Sequence, residues 1–278
     1  MTQGEQVAVI TGTTHGIGRV TARGLARAGL RLVMLCRNVG LGETLADALR
    51  REVPGAQVGT IGCDLGSLDS VRRAAAAVLR VAPQVDLLVN NAGIVSTRHR
   101  MSVDGFELTF ATNALGPFLL TELLRGAMRA PGRIVNVASC AHLRGTLDLA
   151  TVADPHARYR PVAAYNRSKL ANVMHTLALA RRLDGSGITA NCLHPGIVAT
   201  HLLPRWLQLL KPLFSRQMLS EERGAATSLH LALSPDVAAS SGRYYDEHQQ
   251  PAAPLPAATD IGLQESLWRQ SARWVGLA

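Results

Sequence analysis

Short apolar runs rich in β-branched residues alternate with amphipathic helical patterns along the chain as far as Pro195. Strands that are covered by helices on both faces read as continuous apolar runs, because neither face of their sheet meets water. The alternation therefore predicts an α/β fold built on one doubly wound parallel sheet, the Rossmann fold. The predicted strands are Val7–Ile10, Leu32–Leu35, Val58–Ile61, Asp86–Asn90, Arg133–Val137, Thr189–Leu193 and Gly242–Tyr245, and the predicted helices are Gly18–Ala28, Leu41–Arg51, Ser67–Val81, Gly105–Met128 and Ala163–Leu183.

The chain has 278 residues, an ordinary length for one α/β domain, and we expect a single domain over residues 1–278. Two segments interrupt the alternation. Residues 200–222 begin with an apolar stretch punctuated by proline. Residues 249–278 are predicted to form a C-terminal extension, with a surface loop over Gln249–Thr259 and a short helix near Gln264–Trp274.

The net charge of +9 does not indicate a nucleic-acid-binding protein. The arginines are spread along the whole chain without a clustered basic run, and only Lys169 and Lys211 among the 29 basic residues are lysines. Nucleic-acid binding favours a basic patch. We therefore predict no nucleic-acid partner and assign the excess charge to a solvated surface and an anionic cofactor pocket.

Neither the hydropathy nor the cysteines indicate a membrane span, a metal or a disulfide. No apolar run approaches the roughly 18 residues that a spanning helix needs. The N-terminus lacks the basic and apolar stretches of a signal peptide, so we predict a cytoplasmic protein without an integral span. Cys36, Cys63, Cys140 and Cys192 form no C-x-x-C pair and are expected to be buried free thiols, and no metal site is predicted.

A glycine-rich turn follows the first predicted strand directly and leads into a helix. Gly12 allows the tight turn, Gly16 lets a pyrophosphate approach the backbone, and Gly18 lets helix and strand pack closely. The spacing G-x-x-x-G-x-G differs from G-x-G-x-x-G, and no G-x-x-x-x-G-K-[ST] motif occurs. The turn is predicted to hold the phosphates of a dinucleotide at the helix N-terminus through Gly12, Thr14, His15, Gly16, Ile17 and Gly18.

The end of the second predicted strand indicates NADP(H) as the cofactor. A fold that binds NAD usually places a carboxylate about 20 residues after the glycine turn to hold the ribose 2′-hydroxyl. Here that point reads Cys36-Arg37-Asn38. The planar guanidinium of Arg37 suits a 2′-phosphate, and His15 would add a second donor. The competing interpretation of Arg37 is a solvated surface arginine.

Polar residues also follow the third and fourth predicted strands, at the carboxyl ends where open α/β sheets bind ligands. Asp64, with Leu65 beside it, would accept a hydrogen bond from the adenine amino group, although a helix N-cap would also explain an aspartate there. Asn91, Ala92 and Gly93 are predicted to line the cofactor, although turn chemistry alone would explain this Asn and Gly.

The strongest chemical signal is the combination of Ser139, Tyr165 and Lys169. Tyr165 and Lys169 lie four residues apart on a predicted helix, so they share one face. A free tyrosine has a pKa of about 10, and a neighbouring ammonium lowers that pKa by favouring the phenolate. Ser139, at the end of the fifth predicted strand, would hydrogen-bond a substrate oxygen. These residues predict proton transfer to or from a substrate bound beside a nicotinamide.

These motifs resemble the short-chain dehydrogenase/reductase family, whose marks T-G-x-x-x-G-I-G, N-N-A-G, a catalytic Ser and Y-x-x-x-K all occur in order over Val7–Thr200. The resemblance implies Tyr165 as general acid/base and Ser139 as the residue that orients the substrate. It implies that Lys169 lowers the pKa of Tyr165 and binds the nicotinamide ribose, and that Asn113 positions a water in the proton relay. The nicotinamide carboxamide would be held by Pro195, Gly196, Ile197 and Thr200.

A narrower resemblance is to the retinol dehydrogenase and protochlorophyllide reductase branch of that family. It is carried by Cys36-Arg37-Asn38, Ser102–Glu107, Asn113–Thr121, His194-Pro195-Gly196 and Leu267–Ser271. The branch prefers NADPH and bulky apolar carbonyls or alcohols, and residues 200–222 would form its substrate lid. Core packing and contact with a membrane surface are the competing interpretations of the apolar stretch in that segment. Ala114 and Pro117 depart from the residues that usually follow the active-site Asn.

We weigh three functions for this chain. The first is NADPH-dependent reduction of a bulky apolar carbonyl (a retinal-like, polycyclic or other secondary-metabolite ketone or aldehyde) to the alcohol, with Tyr165 as proton donor. The second is NADP-dependent oxidation of a lipophilic alcohol at the same residues. The third is a non-catalytic NADP(H)-binding sensor or partner protein. The resemblance also implies a homo-oligomer paired through the two long helices, with the terminal helix either blocking or creating an interface.

Overall fold

The computed structural model describes residues 5–198 and 219–278. The strands in these ranges are β1 (Val7–Thr11), β2 (Arg31–Cys36), β3 (Val58–Gly62), β4 (Val85–Asn90), β5 (Met128–Val137), β6 (Ile188–Leu193), β7 (Tyr244–Tyr245) and β8 (Pro251–Ala252). They form one sheet in the order β3-β2-β1-β4-β5-β6-β7-β8. Every neighbouring pair is parallel except β7 and β8, which are antiparallel.

Helices cover both faces of this sheet. Those in the described ranges are α1 (Gly16–Arg27), α2 (Val39–Glu52), α3 (Leu68–Val81), α4 (Leu108–Phe110), α5 (Gly116–Arg125), α6 (Pro161–Arg182), α7 (Glu221–Leu233), α8 (Pro256–Thr259) and α9 (Ile261–Trp274). The core on one face includes residues of α1, α2 and α7, and the core on the other includes residues of α3, α5, α6 and α9. In α3 the buried stripe is Val71, Ala74, Ala75 and Val78, at helical spacing. The predicted doubly wound α/β fold is confirmed.

The order of the strands reverses at β1. The chain runs from β1 outward through β2 to β3 and then returns to β4 on the other side of β1. In open α/β sheets, ligands bind in the crevice that such a reversal opens at the carboxyl ends of the strands. β1 leads into the glycine turn and β4 leads into Asn91, so the residues predicted to bind the cofactor begin at this crevice.

The predicted helix over Gly105–Met128 is wrong at its start and in its regularity. The carboxylate of Glu107 accepts two backbone N–H groups of the first turn at 2.8 and 2.9 Å, so the helix begins only after this residue. Ala111–Leu115 then form a π-helical turn. Pro117 has no N–H to donate to the carbonyl of Asn113 four residues earlier, which removes one α-helical bond at this turn.

The C-terminal extension is more ordered than the sequence predicts. The expected surface loop over Gln249–Thr259 is wrong in part, because Pro251–Ala252 pairs with Tyr244–Tyr245 as the last strand of the sheet. Ala258, at the centre of α8, is fully buried. The terminal helix α9 begins earlier than expected, since the carboxylate of Asp260 accepts a backbone N–H of its first turn at 2.9 Å.

α9 packs against α5 and α6 largely through Trp268. Its ring meets the ring of Phe118 edge-on with the centroids 4.8 Å apart, and the guanidinium carbon of Arg182 lies 4.1 Å from its centroid. Nε2 of His175 in α6 also lies 3.0 Å from the hydroxyl of Ser271 in α9. The terminal helix thus covers part of the two helices through which pairing of two copies is expected, and that pairing stays a prediction.

Cys36, Cys63 and Cys192 are buried free thiols, as expected, but Cys140 is exposed at the start of a 3₁₀ turn that follows β5. Within the described ranges, no cluster of His, Cys, Asp and Glu is arranged to hold a metal ion. None of the helices in those ranges is both long enough and apolar enough to cross a membrane. Within the predicted lid over 200–222, positions 200–218 lie outside the described residues.

Candidate active site

The glycine turn leaves β1 with a backbone that glycine adopts most easily. Gly12 and Gly16 have φ angles of 70° and 61°, in the left-handed region. A Cβ atom on Gly18 would collide with the carbonyl oxygen of Gly12 and the side-chain amide of Asn91, so close packing excludes a larger residue. α1 begins at Gly16 without a side-chain cap from the described residues. Its first N–H groups and the positive end of its dipole are therefore available to an anion.

Asn91 and Thr11 fasten this turn to the end of β4. The Asn91 Nδ2 donates to the carbonyl oxygens of Thr11 and Gly12 at 2.9 and 3.0 Å. The hydroxyl oxygen of Thr11 accepts the backbone N–H groups of Asn91 and Ala92, both at 3.0 Å. Asn91 and Ala92 therefore support the predicted phosphate-binding turn directly, which turn chemistry alone would not require.

At the end of β2, Arg37 has an exposed side chain that contacts no hydrogen-bonding or ionic partner within the described ranges. It is therefore open to an anionic group in the crevice. Asn38, which is predicted to bind the cofactor together with Arg37, also caps α2, because its Oδ1 accepts the backbone N–H of Leu41 at 3.1 Å. His15 is exposed, and its Nδ1 lies 2.9 Å from the hydroxyl of Thr14.

At the end of β3, Asp64 is not the N-cap of α3, which was the competing interpretation of this residue. Ser67 caps α3, because its hydroxyl oxygen accepts a backbone N–H at 3.3 Å. Asp64 is exposed, and its Oδ1 accepts the N–H of Gly66 at 2.9 Å. The other carboxylate oxygen accepts no hydrogen bond from the described residues, which suits the predicted adenine contact. Leu65 is buried, and its carbonyl packs against Gly116 of α5.

β5 and α6 bring Ser139, Tyr165 and Lys169 together. Ser139 follows the end of β5 and hydrogen-bonds Tyr165, which lies one turn before Lys169 on α6. Lys169 is only 3% exposed, and its ammonium donates to the carbonyl oxygen of Val137 at 2.8 Å. The Lys169 nitrogen lies 5.6 Å from the centroid of the Tyr165 ring. A hydroxyl, a phenol and an ammonium thus form one cluster at the carboxyl end of β5.

Burial dominates the proton affinities of this cluster. It raises the pKa of Tyr165 to about 12, although the hydrogen bond with Ser139 acts in the opposite direction. Burial also lowers the pKa of Lys169 to about 8. The net shift is upward because desolvation of the phenolate dominates, and the lowering of this pKa by Lys169 that the resemblance implies stays a prediction. Tyr165 holds its proton at neutral pH.

Asn113 lies in the π-helical turn with no exposed surface. Its Oδ1 accepts the N–H of Ile94 at 2.8 Å, and its Nδ2 donates to the carbonyl of Ile94 at 2.9 Å. The same Nδ2 donates to the hydroxyl of Ser168 at 3.0 Å, and that hydroxyl donates to the carbonyl of Tyr165 at 2.8 Å. The side chain thus connects the loop after β4 to α6. The relay water that the resemblance implies at Asn113 stays a prediction.

The residues predicted at the nicotinamide end are described in part. A Cβ atom on Gly93 would lie 3.5 Å from the nitrogen of Lys169, so this loop borders the cluster. Pro195 and Gly196 follow β6 and are half-buried, and Gly196 has a φ angle of 80°. Ile197 is 57% exposed, and its carbonyl accepts a backbone N–H at 2.9 Å. Thr200 lies outside the described residues.

Sequence reasoning missed several residues that support the site. Thr11 and Ser168 lie inside the glycine-turn and Y-x-x-x-K motifs, so a search for hydroxyls within these motifs could have found them. His142 is harder to find. Its Nδ1 lies 2.7 Å from the carbonyl oxygen of Ser139, but its other partner, Leu255, is 113 residues away in the chain. No local pattern connects these two segments.

This chain matches one protein family over most of its length. A family model described as short chain dehydrogenase matches residues 6–208. Retinol dehydrogenase 13 of Homo sapiens is 40% identical over 279 residues, which cover 97% of this chain and 84% of that protein.

Solved structures give the same result at the level of the fold. An uncharacterised protein from Mycobacterium paratuberculosis has a TM-score of 0.80 at 32% identity, covering 98% of this chain and 93% of its own. L-sorbose reductase from Gluconobacter frateurii, solved with NADPH and L-sorbose, has a TM-score of 0.70 at 26% identity. That match covers 87% of this chain and 94% of the reductase.

We expect Asn91→Leu to lower the free energy of unfolding by about 1–3 kcal/mol, because two carbonyl oxygens of the glycine turn lose their donor. Dinucleotide affinity should fall as well, since the turn is no longer attached to β4. Urea unfolding and calorimetric titration with NADPH measure the two effects. The control, Asp260→Ala, removes the cap of α9 and costs about 1 kcal/mol of stability, but should leave NADPH affinity unchanged. Unchanged affinity in Asn91→Leu would show that the turn does not depend on this amide.

Proposed function

Because the chain belongs to the short-chain dehydrogenase/reductase family and is therefore an oxidoreductase acting on alcohol or carbonyl groups, we propose that it reduces a bulky apolar ketone or aldehyde to the alcohol with NADPH. The observation that carries this proposal is the cluster of Ser139, Tyr165 and Lys169. It lies at the carboxyl end of β5, on the same edge of the sheet as the glycine turn. A proton donor therefore lies beside a crevice suited to a dinucleotide.

Tyr165 is the proton donor in the proposed mechanism. Its pKa of about 12 keeps the phenol protonated at neutral pH, as an acid catalyst requires. The Ser139 hydroxyl would hydrogen-bond the substrate oxygen and hold it beside the phenol. When bound, NADPH would supply the hydride. The buried ammonium of Lys169 would then stabilise the phenolate that remains on Tyr165 after proton transfer.

The residues around the crevice fit NADPH. The uncapped start of α1 would bind the pyrophosphate, and the exposed guanidinium of Arg37 would pair with the 2′-phosphate, with His15 as a second donor. The open carboxylate oxygen of Asp64 would accept from the adenine amino group. Lys169 would contact the nicotinamide ribose. The choice of NADPH over NADH depends on Arg37, because no carboxylate lies at the end of β2 to hold a free 2′-hydroxyl.

Two observations support an apolar substrate. The human relative is named for retinol, a long apolar alcohol. Large apolar side chains are also exposed near the carboxyl edge of the sheet: Leu143 is 48%, Val162 is 70% and Ile197 is 57% exposed. A lipophilic small molecule is therefore the proposed partner. Residues 200–222 are the proposed substrate lid.

The second candidate is the reverse reaction, NADP-dependent oxidation of a lipophilic alcohol, which the name of the human relative favours. The two directions place opposite demands on Tyr165. Oxidation needs the phenolate before the reaction starts, whereas a pKa of about 12 keeps the phenol protonated at neutral pH. Reduction is therefore the proposed direction.

A cytoplasmic location belongs to the same proposal. Its alternative is a weak contact between the apolar stretch of 200–222 and a membrane surface. Cell fractionation with separate salt and detergent washes distinguishes the two, because an apolar contact would keep the protein in the membrane fraction through a salt wash and release it into detergent.

We expect Tyr165→Phe to lower the rate of carbonyl reduction by about 100-fold or more, because the phenyl ring carries no proton to donate. NADPH consumption is measured with retinal, steroid ketones, quinones and polycyclic aromatic ketones. Tyr245→Phe is the matched control, since its hydroxyl contacts Ser240 at 2.7 Å away from the cluster and its loss should leave the rate unchanged. Retention of more than about a tenth of the activity in Tyr165→Phe would rule out this residue as the acid.

We expect Arg37→Asp to weaken NADPH binding by about 10- to 100-fold while NADH binding changes little, because a carboxylate repels the 2′-phosphate and can accept from a 2′-hydroxyl. Calorimetric titration with both dinucleotides tests this. Arg73→Asp on the exposed face of α3 is the control for the change in net charge. An equal loss of affinity for both dinucleotides would remove Arg37 from the 2′-phosphate site.

We expect the rate of carbonyl reduction to be level through neutral pH and to fall as the pH rises through about 8, because Lys169 loses its proton there. Tyr165 stays protonated over this range, so it does not cause the fall. Initial rates at saturating NADPH between pH about 6 and about 10 measure the profile. Circular dichroism over the same range separates titration from unfolding. A level rate throughout would mean that the charge on Lys169 does not contribute.

A further inference from the structure

His142 is a buried histidine, close to the catalytic serine, that the proposed mechanism does not use. It lies within the 3₁₀ turn Cys140–Arg144 and has no exposed surface. Its Nδ1 is 2.7 Å from the carbonyl oxygen of Ser139, and its Nε2 is 3.2 Å from the backbone nitrogen of Leu255. Both ring nitrogens therefore contact backbone groups, and those groups belong to distant segments of the chain.

These two partners determine the tautomer of the ring. The carbonyl oxygen of Ser139 can only accept, so Nδ1 carries the hydrogen and donates it. The backbone N–H of Leu255 can only donate, so Nε2 is the unprotonated acceptor. With a second proton, on Nε2, the ring N–H would face the backbone N–H of Leu255, and neither donor would have an acceptor. Burial also lowers the pKa of His142, which agrees with a neutral ring.

The C-terminal part of the chain, from β7 onward, encloses this ring. Tyr244 of β7 meets it edge-on, with the ring centroids 4.6 Å apart. β8 pairs with β7, and Leu255 follows β8 before the start of α8. One imidazole thus connects the extension to the backbone of the serine that contacts Tyr165.

The bond to the Ser139 carbonyl restricts where the Ser139 hydroxyl can lie. That carbonyl accepts both Nδ1 and the backbone N–H of His142, the latter at 3.1 Å. The peptide plane after Ser139 therefore cannot rotate without breaking two hydrogen bonds. The hydroxyl oxygen of Ser139 accepts the N–H of Ala141 at 3.2 Å within the same turn. The orientation of this turn therefore sets the direction of the hydroxyl toward Tyr165.

We propose that His142 is a positioning residue for Ser139, held in its own place by the backbone of Leu255 in the C-terminal extension. This inference rests on the proposed function, since it assigns a role within the same site. The ring holds the Ser139 peptide so that the hydroxyl stays aligned with the Tyr165 phenol and the substrate oxygen. A ring that only fills space would need its contact with Tyr244 but neither hydrogen bond.

Three variants separate the two hydrogen bonds from the packing. His142→Phe keeps a ring against Tyr244 and loses both bonds. His142→Asn places an amide NH₂ where Nδ1 lies and can still donate to Ser139. His142→Gln reaches toward Leu255 instead.

We expect kcat for carbonyl reduction to fall by about 10- to 100-fold in His142→Phe and His142→Gln, with the KM for NADPH unchanged, because misalignment affects the reacting groups and not the dinucleotide crevice. His142→Asn should recover most of kcat.

Nitrogen-15 NMR of histidine-labelled protein provides a readout that does not depend on turnover. In the unmodified chain the His142 ring should show the neutral form with hydrogen on Nδ1. Amide exchange at Leu255 should be slow in the unmodified chain and fast in His142→Phe, where the N–H has lost its acceptor.

His175→Phe is the matched control, because it removes another buried histidine that bonds to the C-terminal extension, at Ser271, without contacting Ser139. Its kcat should stay within about twofold even if its stability falls. Equal kcat values in His142→Asn and His142→Phe, or an equal loss in His175→Phe, would overturn the positioning role. If His142→Phe does not fold, the kcat of His142→Asn is compared with that of His142→Gln. A higher kcat in His142→Asn supports the positioning role, and equal values overturn it. An active Tyr165→Phe variant would instead overturn the proposed function, whatever the His142 variants do.

Discussion

Asn91 and Thr11 join the ends of β1 and β4 through four hydrogen bonds, at the point where the order of the strands reverses. Parallel strands whose connections leave in opposite directions open a crevice there, and the backbone groups along it would lack sheet partners. An amide and a hydroxyl supply those partners. The glycine turn is thereby held on the same edge of the sheet as Ser139, so that the start of α1 and the Tyr165 phenol face one crevice.

The electrostatics of the cluster follow from burial without a counter-ion. Lys169 is bonded to a carbonyl oxygen, and within the described ranges no carboxylate lies at ion-pairing distance from it. A buried ammonium without an anionic partner is unfavourable, and its lowered pKa expresses that cost. Such groups persist mainly where function requires them. Tyr165 responds to the same low-dielectric surroundings in the opposite sense and keeps its proton.

Local sequence patterns predicted the features that depend on interactions between residues close in the chain. Strand periodicity predicted the order of elements, and the four-residue spacing of Tyr165 and Lys169 placed them on one face of α6. Competition between nearby groups was not predictable: Ser67 rather than Asp64 caps α3, and Pro117 helps to turn the expected helix into a π-helical turn. Contacts between distant segments left no signal at all, which is why β8 and the contact of His142 with Leu255 appear only in the structure.

The position of Leu255 in the chain has a consequence for how the protein is made. It follows His142 by 113 residues, which a ribosome adds in about 6–23 s at about 5–20 residues per second. During that interval the strands that frame the dinucleotide crevice, β1 to β5, have already been synthesised, whereas the segment that encloses the imidazole has not. A nascent chain can therefore assemble the crevice before Leu255 is available to bond the His142 ring.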